Sequence, residues 1–397
     1  MQKLRNIVCI ANTTWYGKYA KSTVQIMERL AKDNNVLFVE YPFTIKDVYA
    51  TLRGNQQAPV KRMFGLQNRI RKITTDSQTA VYNLVIPPVL PLFFLRNEKV
   101  FHFLFRFNVF IYKRTLKRAL NKLNFSDPVF ITAYNPVYGL SLINAMNESA
   151  HIYYCYDGVE AGFYGQRIFE IEKEFAMKVD GIITTSDYLN NEKIKLNKNC
   201  FVVKNGVDFP HFSKFSKTDI YQRERKKVGF IGSLDPRFDI NTVEYAIEKL
   251  TNYDFEFIGD MRNLIMKSRL SKYPNVQFFD PVQPNEVPEL LAKYDVGIIP
   301  YIVNEVNKNI YPLKINEYLA VGVPVVITAF AYLPEFHGVV SVAHNQQDFV
   351  KLIVEESMSD NKIKIEQRVM FASRNSWESR TDDFAKHIEN IIINKTL

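Results

Sequence analysis

Short apolar runs alternate with stretches of helical period along most of the chain. Runs at 7–11 and 36–41, with an amphipathic stretch at 22–32 between them, predict strand, helix, strand, the opening of a doubly wound parallel sheet. Residues 43–80 break this rhythm: they are polar and basic with weak periodicity, and read as a loop or short helices. A strand at 80–86 restores the pattern, and residues 99–123 predict one long helix. Strands at 129–133, 152–156, 181–185 and 201–204 follow, with helical patterns at 138–146 and 167–178. The polar segment 211–226 reads as an interdomain linker after the Asn205-Gly206-Val207-Asp208 turn. The second half predicts six strands (227–231, 255–258, 276–279, 296–300, 325–328, 339–342) and five intervening helices (241–250, 262–271, 285–294, 313–321, 346–357). That is a second Rossmann-like domain, and a last amphipathic helix runs from 377 to 393.

One stretch organises the chemistry. Leu313, Glu317 and Ala320 recur at helical spacing, Pro312 fits the first helical position, and Gly322 can close the helix in the left-handed conformation. The β-branched run Val325-Val326-Ile327 then reads as a buried parallel strand. Lys314 and Glu317 sit one turn apart near the helix start, where free N–H groups and a lysine favour a phosphate and a carboxylate can accept from hydroxyls. The same pair also fits an ordinary surface ion pair. Gly232, at the end of the 227–231 strand, would let backbone N–H groups approach a diphosphate, or would simply make a tight turn.

Composition narrows the class. A length of 397 residues suits two domains, and Cys9, Cys155 and Cys200 sit in apolar runs without metal-type spacing, as buried thiols of a reducing compartment do. The sequence begins without a signal-peptide pattern, and the longest apolar run, 84–95, is broken by Pro87, Pro88 and Pro91. The net charge of +9 is asymmetric: residues 1–122 hold 21 Lys/Arg against 6 Asp/Glu. This basic excess is interleaved with aromatics such as Phe103, Phe107 and Phe110. Nucleic-acid binding, a solvated helix face and an anionic membrane surface all fit it. No RNA- or DNA-binding motif accompanies it, so the membrane surface is preferred and nucleic acid is not expected. No G-x-S-x-G, P-loop, H-E-x-x-H or zinc spacing is present, and His102, His151 and His344 read as packing residues. No D-x-D ends a strand, so phosphate charge would fall to Lys314, with Arg237 as a second source.

The motif P-L-K-x-x-E-Y-L-A-x-G-x-P-V-V at 312–326 resembles the nucleotide-sugar signature of family 4 (group 1) glycosyltransferases. The resemblance implies a GT-B fold: two Rossmann-like domains facing across a cleft, at 1–208 (acceptor side) and 209–376 (nucleotide-sugar side), with a helix at 377–397 crossing back. It implies that Glu317 holds the donor ribose and Lys314 the diphosphate, with Gly232, Ser233, Arg237, Val282, Tyr301, Asn309, Pro312 and Leu313 around the donor. Many relatives carry glutamate where Asn309 stands, and often arginine where Ser233 stands. Trp15, Tyr16 and Gly17 fall where the family puts its acceptor loop, and Trp15 offers a flat face to a sugar. The Tyr156-Asp157-Gly158-Val159-Glu160 turn is similar to the branch's Tyr-Asp-x-x-Asp/Glu, which makes Asp157 and Glu160 candidates to orient or deprotonate the acceptor; Asp157 fits a helix cap equally. The expected activity is retaining, metal- and cofactor-independent transfer from a nucleotide-diphosphate sugar to a glycan or lipid-linked acceptor for surface polysaccharide or glycoconjugate synthesis. The expected location is cytoplasmic, peripheral on the inner face of the membrane. A nucleotide-sugar epimerase of the same fold and a non-catalytic carbohydrate-binding protein are the alternatives.

Overall fold

A computed structural model describes residues 5–17, 21–75, 79–158, 165–220, 222–260 and 263–396. It divides into two compact units, 1–204 with 381–397, and 205–380.

The first unit is built on eight strands: β1 (Asn6–Ala11), β2 (Asn35–Val39), β3 (Ile70–Thr74), β4 (Ala80–Leu84), β5 (Val129–Ala133), β6 (Ala150–Cys155), β7 (Gly181–Thr184) and β8 (Cys200–Val202). They lie in the order β3-β4-β2-β1-β5-β6-β7-β8. All neighbours pair in parallel except β3, which runs antiparallel to β4. The central strands are apolar on both faces because helices cover both, and Val8, Cys9, Ile10, Phe130 and Ile131 are fully buried. The polar stretch expected as loop or short helices therefore contains an edge strand. Its Ile-Arg-Lys-Ile-Thr sequence keeps Arg71 and Lys72 exposed, as edge strands commonly do, and shows no clean alternation from which to predict it. Strand order reverses between β1 and β5, so the ends of these two strands open a crevice.

The second unit carries β9 (Lys226–Ile231), β10 (Tyr253–Ile258), β11 (Val276–Phe279), β12 (Val296–Ile299), β13 (Val325–Thr328) and β14 (Ser341–Ala343). Their order is β11-β10-β9-β12-β13-β14, all parallel, which places the reversal between β9 and β12. The segment 211–226, expected as a linker, belongs to this unit instead. Phe212 is buried in its core, and the Lys217 Nζ donates to the Tyr294 carbonyl while desolvation draws its pKa down to about 8. A polar composition hid these anchors.

Helix Leu313–Ala320 joins β12 to β13, and Pro312 stands just before it with an extended ψ rather than inside its first turn. The close of this helix is as the sequence predicts. Gly322 has φ +76°, and Gly322 N–H and Val323 N–H bond back to Leu319 and Tyr318. A helix not anticipated from sequence, Lys362–Arg374, packs on this turn: Ile365 lies against Gly322, and Arg368 Nε donates to the Gly322 carbonyl at 3.0 Å. A Cβ at Gly322 would sit 2.8 Å from Ile365 Cγ2 in a conformation that costs an L-residue roughly 1–2 kcal/mol. Gly322→Ala is therefore expected to lower the chemical-denaturation stability of this unit by about 1–2 kcal/mol. Helix Trp377–Thr396 belongs to the first unit from Thr381 onward, with Phe384 edge-on to Tyr154 at 5.2 Å and Ile391 against Gly181.

Candidate active site

In the second unit the β9 end, the β10 end and the start of helix Leu313–Ala320 meet at the strand-order reversal. Gly232 follows β9 and bonds through its N–H to the Ile258 carbonyl at 2.8 Å. The Lys314 side chain lies directly on it: a Cβ at Gly232 would meet Lys314 Cε at 2.6 Å and Nζ at 2.9 Å. Lys314 Nζ also stands 5.7 Å from the centre of the Phe230 ring. The bare glycine thus leaves the lysine room in this position. Among the described residues Lys314 makes no hydrogen bond or ion pair, and the helix has no side-chain cap at its N-terminus. A cation and free helix N–H groups consequently share one spot, which is the arrangement that receives a phosphate group.

Glu317, one turn on, likewise makes no hydrogen bond among the described residues. Burial raises its carboxyl above the usual range, and the Lys314 charge only partly opposes this. Tyr318 fixes the helix to the sheet: its hydroxyl donates to the Gly229 carbonyl at 3.0 Å and accepts from the Ile231 N–H at 3.3 Å. Asn316, fully buried, donates to the Asn205 carbonyl at 3.4 Å, and Asn205 Nδ2 donates to the Tyr311 carbonyl at 3.2 Å, so the segment before Pro312 is tied down.

The other donor-side residues divide. Arg237 is engaged by Asp235, which accepts from its N–H, its Nε and its Nη2. Burial raises the Asp235 carboxyl, but these bonds and the charges of Arg237 and Lys314 outweigh it and hold it low. Sequence reasoning missed Asp235, whose only sequence signal is the two-residue spacing of Asp235-Pro236-Arg237. Arg237 is therefore a paired cation, unlike Lys314. Tyr301 is buried, packed on Phe330 at 5.1 Å and under Arg237 at 5.6 Å, and its carbonyl accepts from Thr328 Oγ1. Val282 follows β11, is partly buried, and its N–H and C=O make no hydrogen bond among the described residues. Asn309 ends the one-turn segment Asn307–Asn309, and its side chain lies outside what the structure describes. Ser233 and Leu313 flank Gly232 and Lys314 in the chain and are partly buried.

In the first unit the loop after β1 is held from beneath. The Trp15 N–H donates to both oxygens of buried Glu40 at 3.2 Å, Asn83 Nδ2 donates to Glu40 at 2.6 Å, and buried Arg62 donates to Asn83 and to the Arg69 carbonyl. Burial pushes the Glu40 carboxyl up, while these bonds and the charges of Arg62 and Lys21 oppose it. Lys21 Nζ ties the loop tip by donating to the Thr14 and Tyr16 carbonyls, and it fills the space beside Gly17. Trp15 stands edge-on to Phe38 at 5.1 Å, and Tyr16 is the exposed ring, at 67%.

None of Trp15, Tyr16 and Gly17 lines the cavity of about 510 Å³ at the ends of β1 and β5, one of several in this unit, whereas Asp157 does. Asp157 is exposed and accepts from the Gly158 N–H at 2.9 Å. Glu160 lies outside the described residues. Sequence reasoning missed Tyr134, which also lines the cavity with φ +50°, a value a bulky residue rarely adopts, and donates to the Gly158 carbonyl at 2.6 Å.

Residues 225–356 match the family model described as glycosyl transferases group 1. Over 167 residues the chain is 32% identical to TuaH of Bacillus subtilis (strain 168), named as a teichuronic acid biosynthesis glycosyltransferase, and the match takes in 40% of this chain and 42% of that protein. The chain thus spans under half the length of that relative. Among solved structures it is similar to a sucrose-phosphate synthase of Thermosynechococcus elongatus, with TM-score 0.70, 14% identity, and 98% of this chain and 99% of that chain covered. It is also similar to a UDP-forming trehalose-phosphate synthase of Burkholderia xenovorans in complex with glucose-6-phosphate, with TM-score 0.69, 11% identity, and 97% and 100% covered. A third similar structure, from E. coli, is bound with UDP-2-fluoro glucose, with TM-score 0.69, 10% identity, and 98% and 99% covered.

Proposed function

We propose that this chain, which carries the GT-B fold, is a group 1 glycosyltransferase whose second unit binds a nucleotide-diphosphate sugar and whose first unit takes the acceptor. One observation carries this reading: a Lys314 ammonium that makes no hydrogen bond or ion pair among the described residues, seated on bare Gly232 at an uncapped helix start. Lys314 and the helix N–H groups hold the diphosphate, and they stabilise the charge it gains as it leaves without calling on a metal. Glu317 accepts from the ribose hydroxyls, and the main-chain groups of Val282, which make no hydrogen bond among the described residues, pair with the base edge. Two similar structures are described as UDP-forming or as holding a UDP-sugar, which supports uridine as the nucleoside. In the transfer, the bond from the sugar's anomeric carbon to the diphosphate oxygen breaks and a bond from that carbon to the acceptor oxygen forms. The acceptor hydroxyl, oriented by Asp157, gives its proton to the departing diphosphate, and configuration is retained. Incubation with UDP-glucose should release UDP only when an acceptor is supplied. Donor isomerised in the absence of acceptor would favour the epimerase alternative instead.

A membrane location for the acceptor is part of this reading. Helix Glu98–Leu123 exposes Val100, Phe103, Phe107 and Phe110 at helical spacing, at 43–72% exposure, with Arg106, Arg114, Lys117 and Arg118 exposed on the same helix. Aromatics flanked by cations suit the surface of an anionic bilayer. No helix among the described residues is long and apolar enough to cross a membrane. Phe103→Ser/Phe107→Ser is expected to cut co-sedimentation with phosphatidylglycerol vesicles severalfold while leaving the Tm within about 2 °C, since both rings are already exposed. Equal sedimentation of the two proteins would remove the membrane from the account.

A further inference from the structure

The cavity in the first unit opens at the reversal of strand order between β1 and β5, where Asn12 follows β1 and Tyr134 and Asn135 follow β5. Its polar end is made by these residues and Asp157. Asn135 is buried and donates to the Ala11 carbonyl at 3.2 Å, and the Tyr134 hydroxyl is committed to Gly158. Its other walls are mostly apolar, with Leu90, Leu92, Phe93, Phe105, Val137 and Ile168, and Tyr41, Thr44 and Tyr138 add hydroxyl-bearing side chains to them. Asn108 contributes little polarity to these walls, because its amide is engaged at both ends by the Leu90 main chain, at 2.9 and 3.0 Å. Among the described residues that line the cavity there is no lysine, arginine or histidine, and Asp157 is the only charged side chain.

That wall chemistry discriminates. A phosphate or carboxylate placed here would lose its hydration without a cation to receive it and would face Asp157, which is strongly unfavourable. An uncharged molecule with an apolar body and a hydroxyl at one end meets the opposite situation. Its body displaces water from aromatic and aliphatic walls, and its hydroxyl finds a carboxylate. Helix Glu98–Leu123 adds a geometric argument, because the helix that lends Phe105 to the cavity also exposes Phe103, Phe107 and Phe110.

We infer that this cavity is the acceptor site and that it takes an uncharged amphiphile, an apolar chain or ring system bearing a hydroxyl, and excludes sugar phosphates. The inference rests on the glycosyltransferase reading and sharpens it, since one of the similar structures holds glucose-6-phosphate.

The test is calorimetric titration of the full chain with n-octyl β-D-glucopyranoside below its micelle concentration and, separately, with glucose-6-phosphate. Octyl glucoside should bind, glucose-6-phosphate should neither bind nor compete, and Ile168→Trp, which fills the cavity from a partly exposed helix position, should weaken octyl glucoside about tenfold or more. Leu90→Trp does the same from another lining position, should Ile168→Trp fail to fold. Glucose-6-phosphate binding as tightly as octyl glucoside would overturn the inference, and so would octyl glucoside affinity unchanged in both variants. UDP affinity, measured on the same samples, should be the same in the wild type and the cavity variants. Its absence from the wild type would instead defeat the donor reading, so the two failures can be told apart.

Discussion

Lys314→Met should lose about a hundredfold in affinity for a nucleoside diphosphate while melting within about 2 °C of the wild type. The ammonium makes no ion pair among the described residues and packs through its stem on Gly232 and toward Phe230. Methionine preserves that packing, so the folded chain loses little without ligand. The bound chain loses a charge-assisted contact to a diphosphate in a partly desolvated position. Such contacts contribute about 1.5–3 kcal/mol each, and a lysine shared by two phosphates reaches the upper end, about a hundredfold. Titration calorimetry with UDP and a melting curve on the same protein check both halves. Arg237→Met, by contrast, should weaken binding much less, because Asp235 already engages that guanidinium.

Glu317→Gln should stabilise the chain and impair it together. The carboxyl sits above its ordinary range because burial disfavours its charge, and Lys314 only partly compensates. A carboxyl whose folded-state pKa exceeds its unfolded value destabilises the fold when ionised, and that penalty disappears as pH falls through the raised value. The glutamine variant should therefore melt higher than the wild type at pH 7.5, by roughly 2–4 °C for each kcal/mol recovered, and the gap should close on acidification. Its affinity for UDP should fall between about tenfold and a hundredfold, because a neutral amide is the weaker acceptor for ribose hydroxyls. Wild-type binding should weaken on acidification at a higher pH than an ordinary carboxylate would give, and the variant should lack that step. A variant that melts no higher and binds as before would mean that Glu317 points away from the ligand.

The strands were legible because parallel strands buried on both faces leave unbroken apolar runs, as at Ile7–Ala11 and Val325–Thr328, and because Gly322 marks a helix end by a conformation other residues resist. Edge strand Ile70–Thr74 was not, since one paired edge and exposed Arg71 and Lys72 erase the pattern. Helix Lys362–Arg374 leaves a weak apolar pattern because it buries little more than Ile365, Arg368 and Ala372. The Lys314–Glu317 constellation is local, one turn of one helix, and so could be read from spacing. The Lys314–Gly232 contact joins positions 82 residues apart, and the first-unit cavity gathers side chains from Asn12 to Ile168, so neither has a signature in any one stretch. Trp15, chosen for its flat ring, is held edge-on to Phe38 by the Glu40 network. The rarer signal at Tyr134, a backbone conformation, is invisible in the letters.

The most direct measurement is a crystal structure of the full chain grown with UDP. The β-phosphate should lie within hydrogen-bonding distance of Lys314 Nζ and over Gly232, with the ribose hydroxyls on Glu317. Density for the diphosphate elsewhere on the chain, with Lys314 and Glu317 both turned to solvent, would contradict the account.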